Sequence, residues 1–199
     1  MRIVVIGATG TIGSAVVSAL SEAGHEVVSV SKKSTPLTVD ISDSASLSSM
    51  FRLVGKVDAI VSAAGQARFK PLAELSEDDF DFTLRNKLMG QVNIVRLGLE
   101  YVRDGGSITL TAGYLSRSPA PGSAAVSLVN AALEGFARAA ACEAPRGIRV
   151  NVVSPPWLTE TLEKMGTDTT GAMPAATVAK SYVESVTGTA TGRVIDPQP

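Results

Sequence analysis

The sequence predicts a doubly wound α/β protein: one parallel sheet with helices on both faces, in a single three-layer α/β/α domain. Three observations carry this. Short β-branched runs alternate with helix-length amphipathic stretches almost from the first residue. The strand runs are mainly apolar rather than strictly alternating, as strands covered on both faces are. With 199 residues, 45% hydrophobic and 19% charged, the chain supports one sizeable core and leaves too little for a comfortable second domain.

Taken in order, Ile3–Ile6 reads as a buried strand and Ile12–Ala23 as a helix that Gly24 ends. Glu26–Val30 is a second strand and Leu37–Asp40 a short third. A serine-capped helix covers Ala45–Val54, and Val57–Ser62 is a fourth strand closed by Ala63-Ala64-Gly65. Ser76 precedes Glu77, Asp78 and Asp79, acidic side chains that suit the positive start of a helix expected to run to Val102. Asp104-Gly105-Gly106 is expected to turn the chain into strand Ser107–Thr111. A loop with two prolines leads to a long helix, Ser123–Glu143, then to a sixth strand, Gly147–Val153, closed by Pro155-Pro156. After a polar stretch come a helix over Ala175–Val186 and a last strand, Arg193–Ile195. No repeat or Pro/Gly/Ser-rich linker divides residues 1–199, so they are read as one domain with right-handed crossovers.

A net charge of −1 argues against a nucleic-acid or anionic-membrane partner held by bulk electrostatics. The Ile3–Ile6 run is too short for an export signal, and no stretch nears the roughly 18 apolar residues of a membrane span. The expected location is therefore the cytoplasm. Cys142 is the single cysteine, which excludes an intramolecular disulfide, and its alanine-rich setting suits a buried structural thiol. His25, the only histidine, falls between the first helix and second strand, remote from the carboxyl ends of the strands, and reads as structural. Asp40, Asp43 and Asp58 form no paired-carboxylate or metal-ligand pattern, so no metal is expected.

The stretch GATGTIG, residues 7–13, lies between the first strand and first helix, where open α/β sheets bind ligands. Gly7 allows the turn, Gly10 permits close approach of a pyrophosphate, and Gly13 lets helix and strand pack tightly. Thr9, Thr11 and Ile12 share the same turn, and free amides at the helix N-terminus face the anion. A bare glycine triplet is also compatible with a simple tight turn; the flanking strand and helix favour a dinucleotide. A carboxylate ending strand two would favour NAD(H) through the ribose 2′-hydroxyl. This chain has Ser31, Lys32 and Lys33 there instead, which suit a 2′-phosphate and favour NADP(H) over NAD(H). A solvated surface loop would also carry such lysines.

From these motifs the sequence resembles the short-chain dehydrogenase/reductase family, a Rossmann-like fold, nearly end to end. GATGTIG resembles the family's glycine motif, and VDISD its adenine-side loop, which implies Asp40 and Ile41 beside the adenine. SAAG at 62–65 is similar to Asn-Ala-Ala-Gly, implying cofactor contacts from Ala63, Ala64 and Gly65, with Ser62 in place of the asparagine. GGSITLTAG resembles the strand that ends in a catalytic serine. ALEGFARAAACEAPRGIRVNVVSPP resembles the helix and strand before a Ser-Pro-Gly turn, and TGRVIDP the closing strand.

The resemblance implies a tyrosine and, four residues on, a lysine on the long helix; here those positions are Val126 and Asn130. The serine position is Gly113, with hydroxyls nearby at Thr111 and Ser116. An aliphatic side chain relays no proton. In the stretch RNKLMGQVN, Lys87 occupies the position of the family's catalytic asparagine, one residue after Asn86. Lysine and asparagine are thus exchanged. One reading has Lys87 supply the ammonium near the nicotinamide ribose and Asn130 the neutral hydrogen bonds; the other is drift in a site without chemistry. Tyr114 is the nearest candidate proton donor, or else a packing or substrate contact.

By resemblance the segment from Pro155 covers the substrate, with Pro155 against the cofactor and Leu158 placed to meet the nicotinamide amide. Trp157, Leu158, Leu162 and Met165 form an expected apolar wall, or ordinary loop packing. The resemblance also implies a homo-oligomer, dimer or tetramer, through the two long helices. Ala131, Ala132, Ala139 and Ala140 would allow close helix approach, or pack on their own sheet. Two functions stand: an NADP(H)-dependent oxidoreductase acting on a small-molecule carbonyl or alcohol, and an inactive NADP(H)-binding sensor or scaffold.

Overall fold

The computed structural model describes residues 1–199. Seven parallel strands form one sheet: β1 (Arg2–Ile6), β2 (Glu26–Ser31), β3 (Leu37–Thr38), β4 (Val57–Ser62), β5 (Val102–Thr111), β6 (Arg149–Val153) and β7 (Val194–Ile195), in the spatial order β3-β2-β1-β4-β5-β6-β7. The order reverses between β1 and β4, which leaves a crevice at their carboxyl ends. The helices are α1 (Thr11–Glu22), α2 (Ser44–Val54), α3 (Glu77–Thr83), α4 (Gly90–Gly98), α5 (Ala124–Glu143), α6 (Thr159–Met165) and α7 (Ala175–Thr187).

Strand alternation divides the core between the two faces. Val4 and Ile6 of β1 pack with Leu47, Met50 and Phe51 of α2, Ile94 of α4 and Leu133 of α5. Ile3 and Val5 pack on the other face with Val16 and Leu20 of α1 and Val178 and Tyr182 of α7. No helix is long and apolar enough to cross a membrane.

The structure corrects the sequence reading in several places. The helix expected to run from Ser76 to Val102 ends at Gly98, and Val102 already belongs to β5. Within it, Leu84–Met89 widens into a π-helical stretch between α3 and α4. Such widening occurs often at functional sites, and here it carries Asn86 and Lys87. Gly90 follows where a side chain would sit 2.9 Å from Ile41 Cδ1, so this helix lies close on the loop after β3. Asp104-Gly105-Gly106 bulges within β5: the pairing jumps from Val57↔Val102 to Ala59↔Ser107. Strand three is only Leu37–Thr38, and the polar stretch after β6 contains α6. Cys142 is exposed, because the buried stripe of α5 runs through Ala125, Val129, Leu133 and Ala137 and leaves it off the core face. Ala131 and Ala139 point outward from the same helix.

Tyr182, fully buried on α7, had no part in the sequence reading. Its hydroxyl lies 2.6 Å from Thr111 Oγ1, which donates to the Ser62 carbonyl at 2.6 Å. Since the threonine proton is committed there, the tyrosine hydroxyl donates to threonine, and burial holds its ionisation well above the ordinary range. The chain ties α7 to the ends of β4 and β5 beneath the crevice. Tyr182→Phe is expected to lose about 1 kcal/mol in urea unfolding; no change in midpoint would show the bond to be dispensable.

Candidate functional site

At the end of β1 the chain turns through Gly7, whose φ of 90° is unfavourable for other residues, and its amide donates to Val30 O at 2.8 Å. A Cβ on Gly7 would lie 2.7 Å from the Ala63 backbone; one on Gly13 would lie 1.9 Å from Gly7 O. Gly10 is different: a Cβ there meets only Gly7 O, at 3.4 Å. Gly10 also caps α1 without a side-chain acceptor, and no acidic residue occupies the first turn. The unsatisfied amides therefore open toward the crevice.

Two clefts meet over Ala63-Ala64-Gly65. The smaller, about 220 Å³, lies between the glycine turn and the ends of β2 and β3. It brings together Gly7, Thr9, Gly10, Ser31, Lys32, Asp40 and Ile41, with Gln66 and Asn86 added. The larger, about 360 Å³, brings together Ile12, Lys87, Asn130, Tyr114, Pro155 and Leu158. Thr11 faces a third, outer groove beside α1, α6 and α7, and Gly13 lies buried beneath the turn. Lys33 lines none of these clefts.

Lys32 and Asp40, separate in the sequence reading, form an ion pair at 2.7 Å. Hydrogen bonds from Lys32 and Ser42 hold the Asp40 carboxyl down at about 2. The Ser31 hydroxyl is occupied by its own turn, accepting from Ser34 N at 3.1 Å. Of the polar groups at this rim, the Lys32 ammonium is thus the one nearest to serving a phosphate, at the expense of its pair with Asp40.

In the larger cleft the π-helical stretch carries Lys87 inward past Gly65, where a Cβ would approach Lys87 Cγ to 3.0 Å. Its ammonium donates to Ala112 O at 3.1 Å, and no carboxylate is paired with it. Desolvation lowers its pKa from 10.5 to about 8. The folded chain therefore holds this proton less tightly than the unfolded chain, and the linked stability rises as pH climbs from about 8 toward 10.5. Lys87→Met is expected to remove that rise and to stabilise the protein by about 1 kcal/mol at neutral pH. Thermal melts across this range check it; a parallel rise in both proteins would contradict the assignment.

Asn130, 1% exposed on α5, donates through Nδ2 to Gly113 O at 3.2 Å, while its Oδ1 is buried without any partner. A side chain at Gly113 would lie 2.8 Å from Asn130 Nδ2, so glycine at 113 and asparagine at 130 are one packing solution. Val126 lines the same wall one turn earlier. Tyr114 sits at the rim, 47% exposed, its ring 5.8 Å from the Arg117 guanidinium. Of the expected apolar wall, Trp157 and Leu158 line the cleft. Leu162 is turned into the protein and Met165 into solvent, because α6 carries them round its own axis.

Two supports were not legible in the sequence. The Gln91 side-chain amide brackets Thr111, donating to its carbonyl and accepting from its amide, both at 2.8 Å, which squares off the end of β5. The buried Glu134 carboxylate accepts from Ser116 Oγ at 2.7 Å and Ser154 Oγ at 3.1 Å, with Arg117 Nε at 3.6 Å. Arg117 also grips both oxygens of Asp196. This network fastens the loop carrying Tyr114 to α5 and to the ends of β6 and β7. A glutamate one turn after Asn130 on an apolar helix face was the available signal.

The lining fits a dinucleotide on two counts: a glycine cradle with open helix amides, and a buried unpartnered acceptor at Asn130 Oδ1 where a sugar hydroxyl could donate. No group of three or more histidine, cysteine, aspartate or glutamate side chains converges as a metal site would.

A parallel sheet with a glycine cradle at its switch point is the Rossmann-like class. Within it, a family model described as Enoyl-(Acyl carrier protein) reductase matches residues 7–192, and the chain belongs to that family, among the short-chain dehydrogenases/reductases. The structure is similar to the protein lin1944 of Listeria innocua, 44% identical, with a TM-score of 0.94 over 98% of both chains. It is also similar to a small-chain dehydrogenase solved with NADPH, 28% identical, TM-score 0.88, covering 98% of this chain and 95% of that one. Hydroxynaphthalene reductase arp2 of Aspergillus fumigatus is 28% identical over 141 residues, 70% of this chain and 50% of that protein. The chain spans about half the length of the curated relatives it matches.

Proposed function

We propose that this protein is an NADP(H)-dependent oxidoreductase with a non-standard site, acting on a small-molecule carbonyl or alcohol. The observation that carries this is the pairing of Lys87 and Asn130 in one cleft, joined over Ala63-Ala64-Gly65 to the glycine cradle. The amides opening α1 would hold the pyrophosphate, and Lys32 the 2′-phosphate. Lys87 and the free Asn130 Oδ1 would hold the nicotinamide ribose, the ammonium donating and the amide oxygen accepting. A bound nicotinamide supplies the two-electron chemistry; the protein supplies orientation and exclusion of water. The NADPH in the similar small-chain dehydrogenase supports the phosphate-bearing cofactor.

The competing reading, a sensor that binds without turnover, draws support from Gly113 and Val126, which offer no acid to the cleft. Calorimetry with NADPH and NADH, beside NADPH consumption against a carbonyl panel, separates them. Binding with turnover supports the oxidoreductase; tight binding with no turnover on any carbonyl supports the sensor. A dimer or tetramer through the outer face of α5, where Leu128 is 46% exposed, belongs to the same proposal and is read by light scattering.

A further inference from the structure

The larger cleft holds few groups able to part with a proton. Thr111 commits its hydroxyl hydrogen to the Ser62 carbonyl, and the Asn130 amide donates to Gly113 O. Ser118 and Thr161 bring aliphatic hydroxyls with no hydrogen-bonded base. Tyr114 stands at the solvent rim, 47% exposed. Lys87 is the one cation lining the cleft, and its surface is only partly covered. Its ammonium has three N–H groups, of which one donates to Ala112 O at 3.1 Å. Ala112 and Gly113 are consecutive, so Lys87 and Asn130 donate to neighbouring carbonyls just past β5 and stand at one spot in the cleft.

The carboxylates on the elements around this ammonium are engaged elsewhere: Asp40 by Lys32, Asp79 by Lys70 and Arg68, and Glu134 by Ser116, Ser154 and Arg117. Arg85, on the same π-helical stretch, is exposed, and the buried Tyr182 hydroxyl beneath the crevice keeps its proton. Burial alone therefore sets the proton affinity of Lys87, and it leaves an acid of about 8 where an ordinary lysine holds its proton to 10.5. An acid poised near the working pH is the kind that serves general acid catalysis.

On the reading that this cleft holds NADPH, we propose that Lys87 is the general acid of the reaction as well as a ligand of the nicotinamide ribose. One N–H stays on Ala112 O, one serves the ribose, and the third serves the carbonyl oxygen of the substrate. In reduction the carbonyl carbon gains a hydride, two electrons with one hydrogen, from the reduced nicotinamide, which is oxidised. The C=O π pair moves to oxygen and takes the proton from Lys87 Nζ, giving the alcohol and a neutral amine. A solvent proton entering at the open rim restores the ammonium. In the reverse direction the neutral amine accepts the proton of the alcohol.

The test uses 4-nitrobenzaldehyde, or the best carbonyl of the panel where that is turned over faster, at saturating NADPH, and the corresponding alcohol with NADP⁺. kcat/KM for reduction is expected to fall tenfold per pH unit above about 8, and for oxidation to fall tenfold per unit below it. Lys87→Arg keeps a cation for the ribose but gives up its proton only above about pH 12. It is expected to lose the alkaline limb and about a hundredfold or more in kcat/KM for reduction, the smaller contribution of a general acid. Lys87→Met should lose as much, and calorimetric NADPH binding reports that each variant is folded. Apart from turnover, the ¹³C shift of Lys87 Cε, assigned by its absence in Lys87→Met, is expected to titrate near 8 in the protein without ligand. A midpoint of about 10 or above overturns the acid role. So does Lys87→Arg turnover within tenfold of the parent, an alkaline limb that survives in that variant, or a limb lost in Tyr114→Phe instead; each leaves the oxidoreductase standing. NADPH binding with no turnover of any carbonyl in the panel overturns both; absence of NADPH binding overturns the cofactor reading itself.

Discussion

Gly13→Ala is expected to abolish NADPH binding and to lower the Tm by about 5–10 °C, the equivalent of about 2–3 kcal/mol for a chain of this size. The added methyl would fall 1.9 Å from Gly7 O and 3.1 Å from Ala8 Cα, both backbone atoms that cannot swing aside. Relief requires the α1 N-terminus to lift from the end of β1, which carries the anion-binding amides away from the crevice. Gly10→Ala is the informative control. Its Cβ meets only Gly7 O at 3.4 Å, an ordinary contact, so it should fold as the parent does. Any loss of NADPH binding in that variant then reports close approach by the cofactor rather than packing. Equal melting of Gly13→Ala and the parent would show that the cradle is not the rigid element described here.

The second large effect concerns Lys87. Lys87→Met is expected to weaken NADPH binding about ten- to a hundredfold, from the loss of a charge-assisted hydrogen bond worth about 1.5–3 kcal/mol. The same substitution should make the protein more stable at neutral pH, since the ammonium is held in a desolvated cleft with only the Ala112 carbonyl to receive it. Opposite signs for stability and affinity distinguish a residue kept for its ligand from one kept for the fold. Asn130→Ala should weaken NADPH as well, through loss of the free Oδ1 acceptor. Calorimetric NADPH titrations of both variants, with thermal melts, provide the readout. Unchanged affinity in both would remove the pair from the cofactor site.

Much of the architecture was legible because local signals agree. The central β-branched runs, β1, β4 and β6, are strands buried on both faces, and Ser76 begins α3 with reciprocal hydrogen bonds between Ser76 and Asp79. The errors fall where tertiary packing overrode those signals. Asp104-Gly105-Gly106 has turn composition, yet pairing with β4 draws Val102 into the strand and leaves the glycines as a bulge. Cys142 has apolar neighbours in sequence, but helical rotation sets it on the outer face.

By itself the sequence determined the Rossmann-like class, the glycine cradle at the sheet's switch point and membership among short-chain dehydrogenase-like chains. The first two depend on contacts between residues near one another in the chain and on strand periodicity, and the third rests on the resemblance of its motifs to the family's. Only the tertiary structure decided that Lys32 faces Asp40, that Asn130 fills the space beside Gly113 with one oxygen free, and that Lys87 enters the cleft without a carboxylate partner. Those pairs lie from 8 to 25 residues apart in sequence, counting Lys32 to Asp40 and Lys87 to Ala112. Burial and charge at such positions are set by which elements the fold brings together, and no local pattern encodes them.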